Sequence, residues 1–179
     1  MKKLTSVLAL GVILSTGIAQ AADNDVAATL SVSGTVKDTS IGCTVEFIEP
    51  TVNMGTREIS SLPKQGHHVD GGQLTPVTAK LVGNCTRDGS VTSNITFTGV
   101  VDSGAGNALV NTATGSGAAT GLGVGIYSYA GNIITPNVSV VKATGLDSTM
   151  FYIGMVTLDG TNPAAGQVQS SLTLQVLTL

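Results

Sequence analysis

Residues 26–36 read VAATLSVSGTV, and apolar or small residues occupy every second position of the stretch. Successive side chains of an extended chain point to opposite faces, so this alternation predicts a half-buried β-strand. The positions on the predicted buried face are Val26, Ala28, Leu30, Val32, Gly34 and Val36. Period 2 alone indicates only a strand, so these residues suit either the chain's own sandwich or pairing with another chain.

The same period recurs along the rest of the chain. Further alternating stretches lie at residues 41–47, 77–81, 95–97, 124–126, 138–140, 151–155 and 172–176. Turn signals separate them, including Asp88-Gly89, Asp102-Ser103-Gly104, Gly131-Asn132 and Asp159-Gly160. Residues 104–125 are rich in small residues and predict a loop that leads into a strand. Many short strands joined by such turns are typical of a single all-β sandwich.

Apolar alternation at both ends of the chain is unusual, since termini are commonly polar and frayed. The final stretch carries Leu172, Leu174 and Val176 almost to the last residue. Apolar strands at both ends suggest sheet edges that another chain is meant to pair with.

Residues 1–21 are predicted to be a secretory signal peptide. Lys2 and Lys3 precede an uncharged apolar stretch, and Ala19-Gln20-Ala21 supplies a small-x-small cleavage site. The alternative is a transmembrane anchor, but the stretch is shorter than the roughly 20 apolar residues that a span requires. We therefore expect the chain to be exported and the segment to be removed.

Charge argues against nucleic acid and anionic membrane as partners. Loss of Lys2 and Lys3 leaves six basic residues against eleven acidic ones in the mature chain, a net charge of −5. No basic run accompanies this mildly acidic balance. Charged residues make up only 11% of the chain, which suggests that much of its surface is covered after assembly.

The two cysteines, Cys43 and Cys85, both follow the predicted cleavage site. An isolated pair in an exported chain predicts a disulfide, which would stabilise the fold by about 4 kcal/mol in the chain-entropy model. The alternatives are two buried thiols or a metal pair. The metal pair is disfavoured because no CxxC or Cys/His spacing accompanies the cysteines.

No catalytic constellation, cofactor motif or metal site is predicted. The sequence has no Gly-x-Ser-x-Gly elbow, and no Gly-Lys-Ser/Thr follows the glycines of residues 115–125. His67-His68 lies near Asp70, but adjacent residues rarely converge on one ion, so we interpret them as a solvated loop. The sequence indicates that the protein is not an enzyme.

Several motifs, in order along the mature chain, resemble chaperone–usher pilins of the type 1 fimbrial protein family. They are Gly34-Thr35-Val36, Cys43-Thr44-Val45, Asn53-Met54-Gly55, Leu81-Val82-Gly83-Asn84-Cys85 and Gly121-Leu122-Gly123-Val124-Gly125-Ile126. Gly166 stands where pilins of this class carry a glycine before their C-terminal strand. Each motif alone is weak, and their order together with the cysteine spacing makes the resemblance fairly specific.

The resemblance implies an incomplete immunoglobulin-like sandwich, the pilin fold, with an N-terminal donor strand. The implied organisation is a signal peptide at 1–21, a donor-strand extension at 22–37 and a pilin domain at 38–179. The extension, with Val26, Ala28, Leu30, Val32, Gly34 and Val36, would fill the groove of a neighbouring subunit. The C-terminal strand, which borders the groove and meets the chaperone, would comprise Gly166, Leu172, Leu174, Val176 and Thr178.

The resemblance also implies the partners and the location. They are neighbouring pilin subunits, a periplasmic chaperone and an outer-membrane usher, with a host receptor met only indirectly. The protein would cross the periplasm of a Gram-negative cell and join a cell-surface fimbrium that contributes to adhesion. Such a head-to-tail contact does not close, so it builds a fibre.

Two alternatives remain from the sequence, a single-domain tip adhesin and a secreted carbohydrate-binding sandwich. A tip subunit has no neighbour to donate to, whereas this chain carries a candidate donor strand. A sugar site needs an aromatic platform, and the chain has only three Tyr, three Phe and no Trp. Thr178 also departs from the penultimate Tyr common in the family, which leans toward a minor or divergent subunit.

Overall fold

The structure is a computed structural model that describes residues 25–34, 42–87, 90–91, 93–143 and 149–178. The predicted signal peptide and Val36 lie outside these residues. Twelve strands form within the described residues: β1 Asp25–Gly34, β2 Cys43–Phe47, β3 Thr51–Glu58, β4 Thr75–Gly83, β5 Thr86–Arg87, β6 Ser90–Val91, β7 Ser93–Thr98, β8 Leu109–Val110, β9 Leu122–Tyr127, β10 Val140–Lys142, β11 Thr149–Thr157 and β12 Gln167–Thr178.

The strands form two five-stranded sheets and a small β5–β6 hairpin. Sheet A has the order β10-β7-β12-β1-β3, and sheet B has the order β2-β4-β11-β9-β8. Single turns of 3-10 helix at Ile59–Ser61 and Gly71–Gln73 are the helices among the described residues, and neither is long enough to cross a bilayer. The all-β sandwich predicted from the period-2 pattern is confirmed.

The core lies between the two sheets, where the inward rows of the alternating strands meet. Phe97 of sheet A packs edge-on against Phe151 of sheet B, with ring centroids 5.1 Å apart, and Phe47 approaches Phe151 at 6.5 Å. All three phenylalanines of the chain therefore meet at one place. Fully buried aliphatic side chains surround them, namely Leu30, Ile95, Leu109, Leu122, Val124, Ile126, Ile153, Leu172 and Leu174.

Strand β9 is buried on both faces, which explains its glycines. Its inward side chains alternate with Gly123, Gly125 and Tyr127 on the outer face of sheet B. A side chain at Gly125 would lie 2.6 Å from the Tyr127 hydroxyl, so the Tyr127 ring lies across a position that only glycine leaves open. Tyr127 forms a second small apolar cluster there with Val69 and Val156.

A buried polar cluster joins the loops at one end of the sandwich. The Asp102 carboxylate accepts hydrogen bonds from the backbone N–H groups of residues 104–106 at 2.9–3.2 Å and from Gln65 Nε2 at 3.3 Å. Gln65, also buried, accepts a bond from the Asp159 N–H at 3.0 Å. Burial acts to raise the pKa of Asp102, but the bonds from Gln65 and the backbone outweigh it, so the pKa lies below its usual value.

The predicted disulfide is confirmed. Cys43 at the start of β2 is bonded to Cys85 just after β4, and their Cα atoms lie 4.7 Å apart. Because β2 pairs with β4, the disulfide closes the end of a hairpin-like pair of strands.

One predicted strand is displaced along the chain. Val138, expected at the start of a strand, lies in an exposed turn, and β10 begins at Val140. Asn137 causes the change because it adopts a left-handed φ of 63°, which interrupts an extended chain. Its side chain ties the turn to the residue after β7 by accepting a hydrogen bond from the Gly99 N–H at 3.2 Å.

Tyr127 generates a prediction about stability. Its hydroxyl is buried and has no hydrogen-bond partner among the residues that the structure describes, and burial raises its pKa to about 12. Since an unpaired buried hydroxyl costs roughly 1–3 kcal/mol, Tyr127→Phe should leave the free energy of unfolding unchanged or raise it by about 1 kcal/mol. Urea denaturation at pH 7 measures the change.

An alkaline series supplies the control. Because burial keeps the Tyr127 phenol neutral in the folded chain while it ionises near its ordinary pKa of 10 in the unfolded chain, the free energy of unfolding falls as pH rises from 10 toward 12. The parent protein should therefore lose more stability than Tyr127→Phe over that interval. A variant less stable than the parent at pH 7 would show that the hydroxyl has a partner.

Candidate functional site: the seat of the N-terminal strand

The N-terminal strand lies in the middle of sheet A, between two strands from distant parts of the chain. Strand β1 runs parallel to β12, with a register from Ala27 opposite Gln167 to Gly34 opposite Leu174. On its other side β1 runs antiparallel to β3, from Asp25 opposite Glu58 to Ser31 opposite Thr51. We call the slot between β3 and β12 the strand seat.

The side chains of β1 follow the predicted alternation where they are described. Ala28 is 2% exposed and Leu30 is fully buried, while Thr29 and Ser31 face solvent. The backbones of Val26, Val32 and Gly34 lie in the strand, and the side chains of Val26 and Val32 are outside the described part of the structure. Leu30 thus seats the strand on the core, and burial of such a side chain contributes roughly 1.5–3 kcal/mol.

A bulge in β3 adjusts one wall of the seat. The register shifts between Ala28, opposite Gly55, and Thr29, opposite Asn53, so Met54 is the extra residue on β3. Gly55 has a φ of 71°, and its N–H donates to Asn53 Oδ1 at 2.8 Å. Asn53-Met54-Gly55, singled out from the sequence, therefore shapes the seat directly.

Strand β12 forms the other wall. Its inward row begins with Val168 and Ser170, which the sequence analysis did not single out, and continues through Leu172 and Leu174, all nearly or fully buried. Val176 is half-buried and packs against the core. Thr178 is in the strand and opposite Ser93 of β7, and its side chain is outside the described residues.

Gly166 precedes β12 at a point of close backbone approach. A side chain there would lie 2.5–2.6 Å from the backbone of residues 117–119. Its φ of 155° also suits glycine better than other residues. The glycine predicted before the last strand is therefore required by the crossing of residues 117–119 over its start.

The seat is suited to hold an extended strand and offers no reactive groups. Strand β12 carries no charged residue, and the register brings only Asp25, Arg57 and Glu58 to one end of the seat. Its affinity for a strand must come from backbone hydrogen bonds and apolar burial, as in other cases of strand addition to a sheet.

His67-His68 lies in the loop between β3 and β4, outside the two walls. His68 Nε2 is 3.6 Å from Asp70 Oδ1, and its Nδ1 is 3.4 Å from Asn132 Oδ1. Within the described residues, no group of three or more His, Cys, Asp or Glu side chains is arranged to hold a metal ion.

Comparison with known proteins now decides the family. A sequence profile described as fimbrial protein matches residues 30–177, from the middle of β1 to nearly the end of β12. The chain belongs to the fimbrial protein family. This membership indicates a surface pilus protein that associates with other pilin subunits. A search of curated protein sequences found no significant match.

The fold of this fimbrial protein is similar to that of a solved pilus subunit. The P pilus rod subunit PapA superposes with a TM-score of 0.57 at 14% identity, covering 82% of this chain and 100% of PapA. An antigen and type I fimbria protein of Burkholderia pseudomallei gives a TM-score of 0.44 at 15% identity, covering 85% and 92%. The likeness to PapA confirms the predicted immunoglobulin-like pilin fold.

The predicted roles of the two terminal strands remain predictions. The structure brings Ala28 and Leu30 against β12, so the two sets of predicted residues meet in one sheet. Within the single chain, β1 fills the seat itself, as an ordinary strand of its own sandwich would. Donation to a neighbour and the division into an extension at 22–37 and a domain at 38–179 require separate tests.

The seat predicts a contrast between neighbouring residues of β1. Leu30→Ala should lower the free energy of unfolding by about 2–5 kcal/mol, because it opens a cavity under the strand. Thr29→Ala, one residue away on the exposed face, should change it by less than about 0.5 kcal/mol. Denaturant titration of the mature chain measures both, and equal effects would show that β1 does not occupy the seat.

Proposed function

We propose that this fimbrial protein is a structural subunit assembled by donor-strand exchange, with residues 26–36 of each subunit filling the seat of the subunit that was added before it. It would be exported to the periplasm, held there by a chaperone and added to the fibre by an outer-membrane usher. The fibre would contribute to cell adhesion, and the subunit itself would not act as an enzyme. Family membership supports the fimbrial role.

The observation that carries the proposal is the position of β1 in the sheet. It is a central strand, paired on both sides, yet it lies at the N-terminal end of the described chain. A strand with only one chain connection leaves a sheet without unthreading any other element. Strand β12 is also paired on both sides and lies at the other end of the described chain, but it carries the buried row from Val168 to Leu174. Strand β1 is therefore the simpler of the two to exchange between copies.

The walls explain why the seat must be filled at all times. Removal of β1 would expose one edge each of β3 and β12, with the apolar row of β12 beneath them. Such an edge is prone to aggregation. A chaperone that lends a strand to this slot before a neighbour arrives would protect it in the same way.

Engineered disulfides test donation. Ser31 of β1 lies opposite Ser171 of β12 near the middle of the paired stretch, and both side chains are exposed. The double variant Ser31→Cys/Ser171→Cys should crosslink within one chain when its own strand fills the seat. An equimolar mixture of the two single variants should form crosslinked dimers only when the strand of one chain enters the seat of another.

Added peptide distinguishes slow exchange from no exchange. A synthetic peptide of residues 22–36 carrying Ser31→Cys should crosslink to the folded Ser171→Cys chain, whereas a peptide with Leu30→Asp should not. If neither the mixed chains nor the peptide crosslinks while the double variant does, β1 is a permanent strand of its own sandwich. Each variant retains the Cys43–Cys85 disulfide, so reduction must be avoided.

A second candidate function, carbohydrate binding, is favoured by one observation. All three tyrosines of the chain gather at one end of β9 and β11. Tyr129 is 84% exposed, and its ring lies 6.1 Å from the ring of Tyr152. Asn132 lies in the same turn as Tyr129, and its Oδ1 is 3.4 Å from His68 Nδ1. Exposed aromatic rings beside polar side chains suit the apolar faces and hydroxyl groups of sugars.

Saturation-transfer NMR tests this candidate. Galactose, mannose and N-acetylglucosamine oligosaccharides are mixed with the mature chain, and sugar binding predicts transfer to at least one of them. Tyr129→Ala should abolish the transfer, whereas Val138→Ala, an equally exposed apolar change elsewhere, should not. If no saturation is transferred to any sugar, or if both variants transfer it equally, a sugar site at Tyr129 is rejected.

A further inference from the structure

Strand β12 has two edges, and one of them is paired with a neighbouring strand along only half of its length. One edge runs along β1. On the other, β7 pairs with residues 173–178, and beyond Thr98 the chain turns away. Residues 167–172 therefore have β1 on one side and, among the described strands, no strand on the other.

Asn111 takes the place of the missing strand at this edge. Its Nδ2 donates to the backbone oxygen of Gln167 at 2.9 Å and to that of Ala119 at 2.8 Å. Its Oδ1 accepts from the backbone N–H of Gln169 at 2.8 Å. A side-chain amide carries the same donor and acceptor as a peptide group, so it can bond to a strand edge as a neighbouring backbone would.

Other residues of the same loop satisfy the remaining backbone groups of Gln167 and Gln169. The N–H of Thr112 donates to the Gln169 oxygen at 2.6 Å, and its hydroxyl donates to the same oxygen at 2.9 Å. The Gln167 oxygen also accepts from the Ala119 N–H at 3.0 Å, and the Gln167 N–H donates to Gly117 at 2.7 Å. The backbone N–H and C=O groups of Gln167 and Gln169 thus all have hydrogen-bond partners.

Ser170 fastens the same segment to β12 from the core side. It is a buried polar residue in an otherwise apolar row, 1% exposed, and its hydroxyl donates to the Val110 oxygen at 2.6 Å. The residue immediately before Asn111 is therefore tied to β12. The Gly166 close approach holds the other end of the segment, at residues 117–119.

We propose that residues 110–119, with the Asn111 amide at their centre, close the second edge of β12 so that β12 accepts a strand on the β1 side alone. The occupant that they exclude is an extended strand of a second copy of this chain. An uncharged edge with free N–H and C=O groups would otherwise be a site of unregulated strand pairing. The consequence for the fibre, one strand seat per subunit, rests on the proposed donor-strand function.

Hydrogen exchange of single amides tests the proposal on the full mature chain. The Gln169 N–H should be protected in the parent protein, and in Asn111→Ala at low concentration its exchange should be about tenfold faster. Raising the concentration of Asn111→Ala should restore protection as a second copy pairs with the open edge, and sedimentation should show larger species. Asn162→Ala, an exposed change of the same residue type, should behave as the parent protein.

Two results would overturn the proposal. Gln169 could stay protected in Asn111→Ala, which would mean that the amide does not close the edge. Alternatively, the edge could open while the variant remains monomeric at every concentration, which would limit Asn111 to local stabilisation. If Asn111→Ala fails to fold, Asn111→Ser repeats the test, since a hydroxyl cannot reach both Gln167 and Gln169. The crosslinking of Ser31→Cys with Ser171→Cys reports on donation separately, so the two proposals fail independently.

Discussion

The backbone of β12 must find partners on both of its edges, and the rest of sheet A is arranged around that requirement. Strand β12 is the longest of the fold, and it carries the apolar row that closes the core from one side. A buried backbone group without a partner costs about as much as a lost hydrogen bond. Strand β1 covers one edge. The other edge is covered by β7 together with residues 110–119, which we call the Asn111 segment.

Strand β1 and the Asn111 segment differ in how firmly the chain holds them against β12. The Asn111 segment lies between β8 and β9, so both of its ends are anchored in sheet B. Among the described residues, β1 is connected to the fold only through its C-terminal end. An edge that is covered from within the chain cannot be exchanged, whereas one covered by a terminal strand can be. The asymmetry gives a physical reason why strand exchange, if it occurs, would be confined to one side of β12.

Period 2 in the sequence was sufficient to predict most of the strands and their buried faces. Leu30, Leu172 and Leu174 lie where the alternation placed them, because a half-buried strand leaves a direct local trace in the sequence. The disulfide was predicted from the isolated cysteine pair, and the glycine before β12 from the family resemblance. Val138 was misplaced because the left-handed backbone of Asn137 outweighs the apolar pattern around it.

The part that could not be predicted depends on contacts between distant residues. Asn111 stands in a stretch of small residues that indicated only a loop, and its partners lie 56 and 58 positions away. The glycines of β9 suggested a family motif, but nothing local indicated that Tyr127 would lie across Gly125. Asn111 takes the place of a strand, and the Tyr127 ring takes the place of a side chain at Gly125. Neither role leaves an alternating pattern in the sequence.

Register in the seat must come from shape, because charge supplies almost nothing there. An uncharged strand rich in Ser, Thr and Gln could slide along a uniform partner, and a slip by one residue would turn its apolar side chains to solvent. The bulge at Met54 removes that uniformity, since the register changes between Ala28 and Thr29 alone. Leu30 then enters the core two residues later. A strand from any source would have to match both the bulge and the leucine, so the same features that seat β1 in its own chain would select a strand of the same sequence from another copy.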